Sequence, residues 1–588
     1  HMFKVGFQVD YRGENDDDQI NITTVPGGSS NQNGTFALTD SYANGSGLGV
    51  ANLAMGLADS YTEIGPRAYT IWRSAMYEGF AQDSWKITPK LHIDYGVRDT
   101  IVSPYHALWG NAAYFVPSLY DPADAVNINP NTGLVALGSG NQYNGMVIPG
   151  LSGFPSGAAQ HGVFQANAPG DYAALFNKNL PRGLVDIQNA FQPRAGIAYQ
   201  FTEKTVVRVG GGRFVTRMGL LDNIFPGGNS PFQPFVTVTN VSVDNPGAEL
   251  TSTTAPTMSV TTYDRNMKQP EAWNWNVTVE RQLPWQSVLS VAYVGRRGLH
   301  LWNSANINQA PAGTTYANPH TNIAALVPYK GFSQILMERS AASSRYNSLQ
   351  VFWNRRFTRG LGFSAAYTLA KSMDNSSSYS DTVPDTYNTS NLWGPSTYDV
   401  RHAFVTTFTY DIPFLRSQQH ITGKVLGGWQ LSGTAQYLSG APGTVYSTNI
   451  DYAGTGVPGV PQFWVMHGSP RYPRQFSTSA NSSATYFSTT TSDGQPLFTP
   501  PAQGAFNLQQ GVRDAIYGPG YQDWNAGLFK KFAIDERNVV EFRAEAYDVF
   551  NHPNWSSPNF NASTSTFGKV TGKSDLSRQL QLSLRYSF

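Results

Sequence analysis

The chain has 588 residues, of which only 13% are charged, and a formal net charge of +1 with no basic run. An average soluble domain carries about 25% charged residues, and nucleic-acid binders gather Lys and Arg into patches; neither description fits. There is no cysteine, which excludes disulfides and thiolate metal sites, and no run of apolar residues long enough for a membrane-spanning helix. Aromatic residues reach 13% and apolar residues 40%, too many for a disordered chain.

Taken in chain order, apolar and polar residues alternate in recurring segments, the period of a β-strand. In the strand expected at 2–13, Phe3, Val5, Phe7, Val9 and Tyr11 oppose Lys4, Gln8, Asp10 and Arg12. Strands follow at 74–87 and 91–103, the latter setting Leu91, Ile93, Tyr95 and Val97 against His92, Asp94 and Arg98. Next come 191–202, 205–218 and 271–283, where Trp273, Trp275, Val277 and Val279 oppose Asn274, Asn276, Thr278 and Glu280. The series continues at 287–303, 345–357, 361–374, 398–412 and 428–440. It ends at 521–533, 537–550 and 576–588, with Val540, Phe542, Ala544 and Ala546 opposing Glu541, Arg543 and Glu545. Each segment has at least the roughly 9–11 residues of a tilted bilayer-crossing strand.

The connections sort by length. Thr88-Pro89-Lys90, Glu203-Lys204, Pro284-Trp285-Gln286, Thr358-Arg359-Gly360 and Ile534-Asp535-Glu536 are short, and 413–427 is moderate. Between them lie long segments rich in Gly, Pro, Ser and Asn: 14–73, 104–190, 219–270, 304–344, 375–397, 441–520 and 551–575. Strict alternation of short and long predicts an all-β, antiparallel transmembrane β-barrel of about fourteen strands, with tight periplasmic turns and large extracellular loops. A soluble sandwich or propeller has no reason to sort its loops this way.

The last strand places Leu580, Leu582, Leu584, Tyr586 and Phe588 on one face, and Leu582, Leu584, Tyr586 and Phe588 read as a barrel-assembly signal. With Phe588 at the periplasmic rim, the first strand ascends and 14–73 lies outside. Lys4, Asp10, Arg12, Asp94, Arg98, Glu280, Glu541, Arg543, Glu545 and Arg585 are expected to line the lumen wall. Their mixed signs suit ion ladders and contacts to a plug better than a pore for one ionic class. Trp85, Trp273 and Trp285 fall near strand ends, where an interfacial aromatic girdle sits.

No catalytic constellation emerges: the ten histidines are scattered and no H-E-x-x-H or G-x-S-x-G occurs. No cofactor or metal is expected. Asp16, Asp17 and Asp18 have calcium-type oxygens but read as a solvated acidic loop. Gly210-Gly211-Gly212 reads as room for a bulge or for close approach of a lumen element. Trp109, Trp393 and Trp464 are loop aromatics that would stack on a ligand or order a loop.

Several segments resemble the Oar-like branch of the TonB-dependent outer-membrane receptors. They include His1-Met-Phe-Lys-Val-Gly6, Phe191-Gln-Pro-Arg-Ala-Gly196, Trp275 through Gly295, and Tyr398-Asp-Val-Arg-His-Ala-Phe404. Gly428-Trp-Gln-Leu-Ser-Gly433, Glu541-Phe-Arg-Ala-Glu545 and Phe550-Asn-His-Pro-Asn554 follow in the same order. The resemblance implies a signal peptide, a regulatory-like domain, a plug and a barrel of about twenty-two strands. Neither plug, TonB-coupling segment nor signal peptide is found in these residues. The chain would therefore be a C-terminal barrel portion, with about eight strands and the plug supplied elsewhere, or strands 2–13 and 576–588 would close directly. The implied function is energised uptake, with outer-membrane lipid, the TonB complex, the barrel-assembly machinery and a possible second polypeptide as partners. The alternative is a structural or adhesive outer-membrane scaffold whose loops bind partner proteins or surface polymers. A soluble secreted enzyme would need a catalytic set that is missing.

Overall fold

The computed structural model describes residues 1–16, 34–38, 46, 48–64, 70–158, 172–219, 225–233, 235–248, 250–379, 381, 383–415, 418, 420–447, 450–456, 462–473, 484–534, 537–574 and 577–588. Asp17 and Asp18 of the acidic loop lie outside the described residues. The main sheet has 17 strands. Fourteen are long: β1 (Met2–Asp16), β2 (Thr70–Thr88), β3 (Leu91–Val102), β4 (Gln188–Thr202), β5 (Thr205–Val215), β6 (Glu271–Leu283) and β7 (Ser287–Asn306). The series continues with β8 (Phe332–Thr358), β9 (Leu361–Asp374), β10 (His402–Asp411), β11 (Trp429–Leu438), β12 (Tyr521–Ala533), β13 (Val539–Tyr547) and β14 (Gln579–Ser587). Each pairs antiparallel with its neighbour in sequence, from β1–β2 to β13–β14. Three short strands, His106–Ala107, Met258–Tyr263 and Gly394–Pro395, join at the loop end.

The register shows which side chains share a face. One transverse row runs Leu91, Tyr199, Val207, Val279, Val291, Val351, Tyr367, Phe404, Tyr437 across β3 to β11. Another runs Leu431, Leu528, Ala544, Leu582 across β11 to β14. The apolar stripes therefore merge into one continuous face. Their alternates form the other face, which mixes polar and apolar residues: Val206, Glu280, Ser290, Phe352, Ala366, Val405, Gln436 and Asp523 make one of its rows.

Exposure is inverted relative to a soluble sheet. On β6, Trp273, Trp275, Val277 and Val279 are exposed while Asn274, Asn276, Thr278 and Glu280 are only half-exposed. An apolar face spread over fourteen strands is stable only against an apolar solvent.

The structure departs from the sequence reading in several places. β8 begins at Phe332, well before the expected 345, because its extension is paired on both sides above the membrane-spanning part. Met258–Tyr263 runs parallel to it on one side and the end of β7 antiparallel on the other. Ser340, Ala341, Ala342, Ser343 and Ser344 break the alternation there, so the sequence reads as loop. β1 and β2 also extend together, to Asp16 opposite Thr70. Strand β10 is shorter, starting at His402, because Asp399 turns back to accept the Ser372 amide at 2.6 Å. Gly210-Gly211-Gly212 holds regular register with Gly196-Ala195-Arg194 and forms no bulge.

The long connections, read as irregular, carry their own apolar cores. Trp72, Tyr105, Tyr114, Leu184, Tyr263 and Trp302 form one buried cluster, and Phe115, Ile148, Phe232, Phe332 and Ile335 another. The Phe115 ring meets Phe332 edge-on at 5.0 Å. A third cluster gathers Tyr486, Phe487, Phe498 and Ile516, with Trp464 packed against it. Trp109 is half-buried and Trp393 exposed.

Among the described residues, β1 bonds only to β2 and β14 only to β13. Phe7 is 72% and Leu584 72% exposed. Among the described residues these two strands are the edges of the long-stranded sheet.

Placing arginine on each face tests the assignment. Val277→Arg is expected to destabilise the protein by about 2–4 kcal/mol near the bilayer midplane, and Thr278→Arg by much less. Denaturant unfolding in phospholipid vesicles measures both; equal effects would reject the apolar face as the lipid face.

Candidate functional site

Glycines at polar-face positions open a recess of about 790 Å3 over β2 to β8. Gly96, Gly196, Gly210 and Gly212 form its floor, with Phe80, Arg98, Arg194, Phe214, Asn274, Asn276 and Gln350 around it. The missing side chains matter. A Cβ on Gly212 would lie 2.9 Å from Cγ of Arg194, and one on Gly96 2.6 Å from Cβ of Gln82. Either would displace a wall residue.

Two guanidinium groups flank the recess, each laid on an aromatic ring. Arg194 sits 4.4 Å from the Phe214 centroid and Arg98 5.3 Å from that of Phe80. Arg98 also donates to Glu78 at 2.8 Å, and Glu78 accepts from Thr100 at 3.0 Å. Buried Gln192 donates to Thr100 at 2.7 Å and accepts the Val215 amide at 2.9 Å. Among the described residues Arg194 has no hydrogen-bond or ion-pair partner, so its fork of N–H donors remains available. Among the described residues the recess offers one free cation, with amide side chains and ring surfaces: a setting for an anionic or hydrogen-bonding group held on the wall.

At the loop end of the polar face, Arg217 reaches from the segment after β5 to β1. It donates to Asp10 at 3.0 Å and Ser74 at 3.2 Å, under the Tyr105 ring at 5.4 Å. Its side chain is 4% exposed. A buried charge of this kind depends on its partner, so the contact ties the loop cap to β1. Burial raises the Tyr105 hydroxyl above its ordinary pKa, while Arg217 opposes that shift.

The register puts Lys4, Asp10, Arg12, Asp94, Arg98, Glu280, Glu541, Arg543, Glu545 and Arg585 on the polar face, spread from β1 to β14. Only Asp94 and Arg98 line the recess. Asp10 meets Arg12 at 3.0 Å as well as Arg217, Glu280 meets Arg208 at 2.7 Å, and Glu541 meets Arg543 at 2.5 Å. Asp94 is bonded by Ser84 and lies 3.2 Å from His92. Sequence reading missed Arg194, Phe80, Phe214, Gln192 and Arg217. The detectable signal was the set of glycines at polar-face parity in three successive strands: Gly96, Gly196, and Gly210 with Gly212. Trp85 and Trp273 lie on the exposed apolar face near opposite ends, and Trp285, 70% exposed, occupies a turn at φ 60°. Leu582, Leu584 and Tyr586 are exposed on edge strand β14, and Phe588 is exposed just beyond its end. Among the described residues no group of three or more His, Asp or Glu side chains stands close enough to hold a metal ion.

The family described as an outer membrane beta barrel domain matches residues 1–581, and the chain belongs to that family. Its location is the bacterial outer membrane. Among solved structures, the siderophore receptor PiuA from Acinetobacter baumannii is similar at 10% identity and a TM-score of 0.37, covering 88% of this chain and 44% of that one. The outer membrane transporter YddB from Escherichia coli is similar at 9% identity and a TM-score of 0.40, covering 88% and 55%. For the ferric-catecholate import receptor Fiu from K12 E. coli the values are 11% and 0.36, covering 90% and 52%. The chain spans about half the length of these structures. No curated protein sequence matches it.

The cap supplies a pH test. Burial and the nearby Arg182 guanidinium pull His106 from 6.5 down to about 4. Between those values the unfolded chain binds a proton that the folded cap rejects, so this contribution to stability is complete above pH 6.5 and declines as pH falls toward 4. His106→Gln is expected to flatten that part of the profile by about 3 kcal/mol. Hydrogen exchange of the cap amides against pH reads it; an unchanged slope rejects the assignment.

Proposed function

We propose that this chain forms the wall of a TonB-dependent receptor, its polar face lining a lumen and its recess contacting a plug or the passing ligand. The observation that carries the reading is the pair of open edges. In hydrocarbon each unpaired backbone group costs several kcal/mol, so β1 and β14 require partners. A barrel larger than fourteen strands satisfies both and leaves space for a plug. The additional strands and plug come from elsewhere in a longer chain or from a second polypeptide. Nutrient binds at the loop end and enters when TonB withdraws the plug. Trp85 and Trp285 at the turn end, with Trp273 at the loop end, anchor the wall at the two interfaces. The terminal Leu582, Leu584, Tyr586 and Phe588 are the signal read by the barrel-assembly machinery.

A second reading, an adhesive or structural scaffold, draws on the folded cores within the loops, which give the outer surface a defined shape.

Because the chain has no cysteine, single pairs can be placed cleanly. Cysteines at Val5 or Phe7 combined with Leu582 or Leu584 are expected to form no intramolecular disulfide in the native particle, and a plug-bearing segment should accompany the barrel. Efficient cross-linking together with no plug in the particle would overturn the receptor reading.

A further inference from the structure

One row of the apolar face departs from the pattern around it. Arg213, Trp273, Arg297 and Arg345 stand opposite one another in succession across β5, β6, β7 and β8. Arg213 is engaged, donating to Glu271 at 2.8 Å and to the Phe191 carbonyl at 2.9 Å. Arg297 and Arg345 are not. They are direct cross-strand partners, both exposed, and among the described residues neither has a hydrogen bond or an ion pair. Like charges placed directly opposite in an antiparallel pair destabilise it. Arg213 has Glu271 and the neighbouring Lys371 has Asp399, whereas these two guanidinium groups lack a counter-charge among the described residues.

Their height identifies it. Arg297 lies ten residues along β7 from Ser287 at the short-turn end, about 33 Å of strand. At the usual tilt near 45° this rises about 23–25 Å, close to the full height of a barrel's apolar band. The pair therefore sits at the headgroup level on the loop side. Exposed Trp273 is beside it, Gly295 and Asn347 lie directly beneath, and the apolar surface of Tyr293, Leu349, Val291 and Val351 runs below them. We infer that Arg297 and Arg345 form a binding site for the phosphate of a lipid headgroup in the outward-facing leaflet. Each planar guanidinium presents a donor fork that matches phosphate oxygens, while the apolar surface beneath takes the acyl chains. The anion relieves the repulsion between the two cations, so lipid binding also strengthens the β7–β8 ladder. Met373, opposite Arg345, extends the apolar floor on the other side. This inference rests on the reading that the apolar face meets lipid and the long loops face outward.

The test uses the full chain in detergent with a phosphorylated glucosamine glycolipid, the same glycolipid after phosphatase treatment, and inorganic phosphate as competitor. Native mass spectrometry should show retention of the phosphorylated lipid. The R297Q/R345Q double variant is expected to bind it at least about tenfold more weakly, the equivalent of one charge-assisted hydrogen bond. R297K/R345K should keep part of the affinity, and heat-modified gel mobility verifies that each variant is folded. Equal retention by R297Q/R345Q, or equal binding of the dephosphorylated lipid, would overturn the site. Displacement by millimolar inorganic phosphate alone would show an ion site rather than a lipid site and would also overturn it. A fluorophore on Leu349→Cys separates the two levels of the argument. Lipid-like emission with no phosphate preference rejects the site alone, whereas water-like emission rejects the face assignment beneath it.

Discussion

Hydrocarbon offers no hydrogen bonds, and that constraint shapes this protein. Every backbone donor and acceptor in the spanning region must find its partner in an adjacent strand. Regular antiparallel pairing from β1 to β14 meets that demand everywhere except at the two outermost strands. Once the backbone is locked into ladders, side chains alternate by geometry, and the two solvents divide the faces. The merging of Leu91, Tyr199, Val207, Val279, Val291 and Val351 into one row follows from register alone.

On the other face the same alternation produces a different chemistry. Small residues there cost nothing in membrane contact, so glycines at polar-face positions of β3, β4 and β5 hollow the wall. Arginines then lie flat on rings instead of extending into water. Arg194 over Phe214 and Arg98 over Phe80 are the result. The wall is thus sculpted by omission on one side and kept largely apolar on the other, with the Arg213, Arg297 and Arg345 row at its loop end as the exception.

Outside the membrane-spanning part the chain behaves as an ordinary globular protein. Aqueous surroundings restore the usual sense of burial, and Phe115, Phe332, Trp302 and Phe487 move inside. The extensions of β7 and β8 carry the sheet into this region, and Arg217 fastens the cap back to Asp10 on β1.

Alternation made the strands and the division of faces readable from the sequence, because a period of two is a local property and needs no knowledge of neighbours. Loop lengths made the two ends readable for the same reason. The ten wall charges could be assigned to a face, yet their partners could not: Asp10 meets Arg217, more than two hundred positions away, only when the sheet bends the chain back. The recess, the stacked arginines, the long β8 and the cores within the loops likewise depend on contacts remote in sequence. In those segments the aromatics follow no period, so only tertiary packing decides which of them are buried and which remain on the surface.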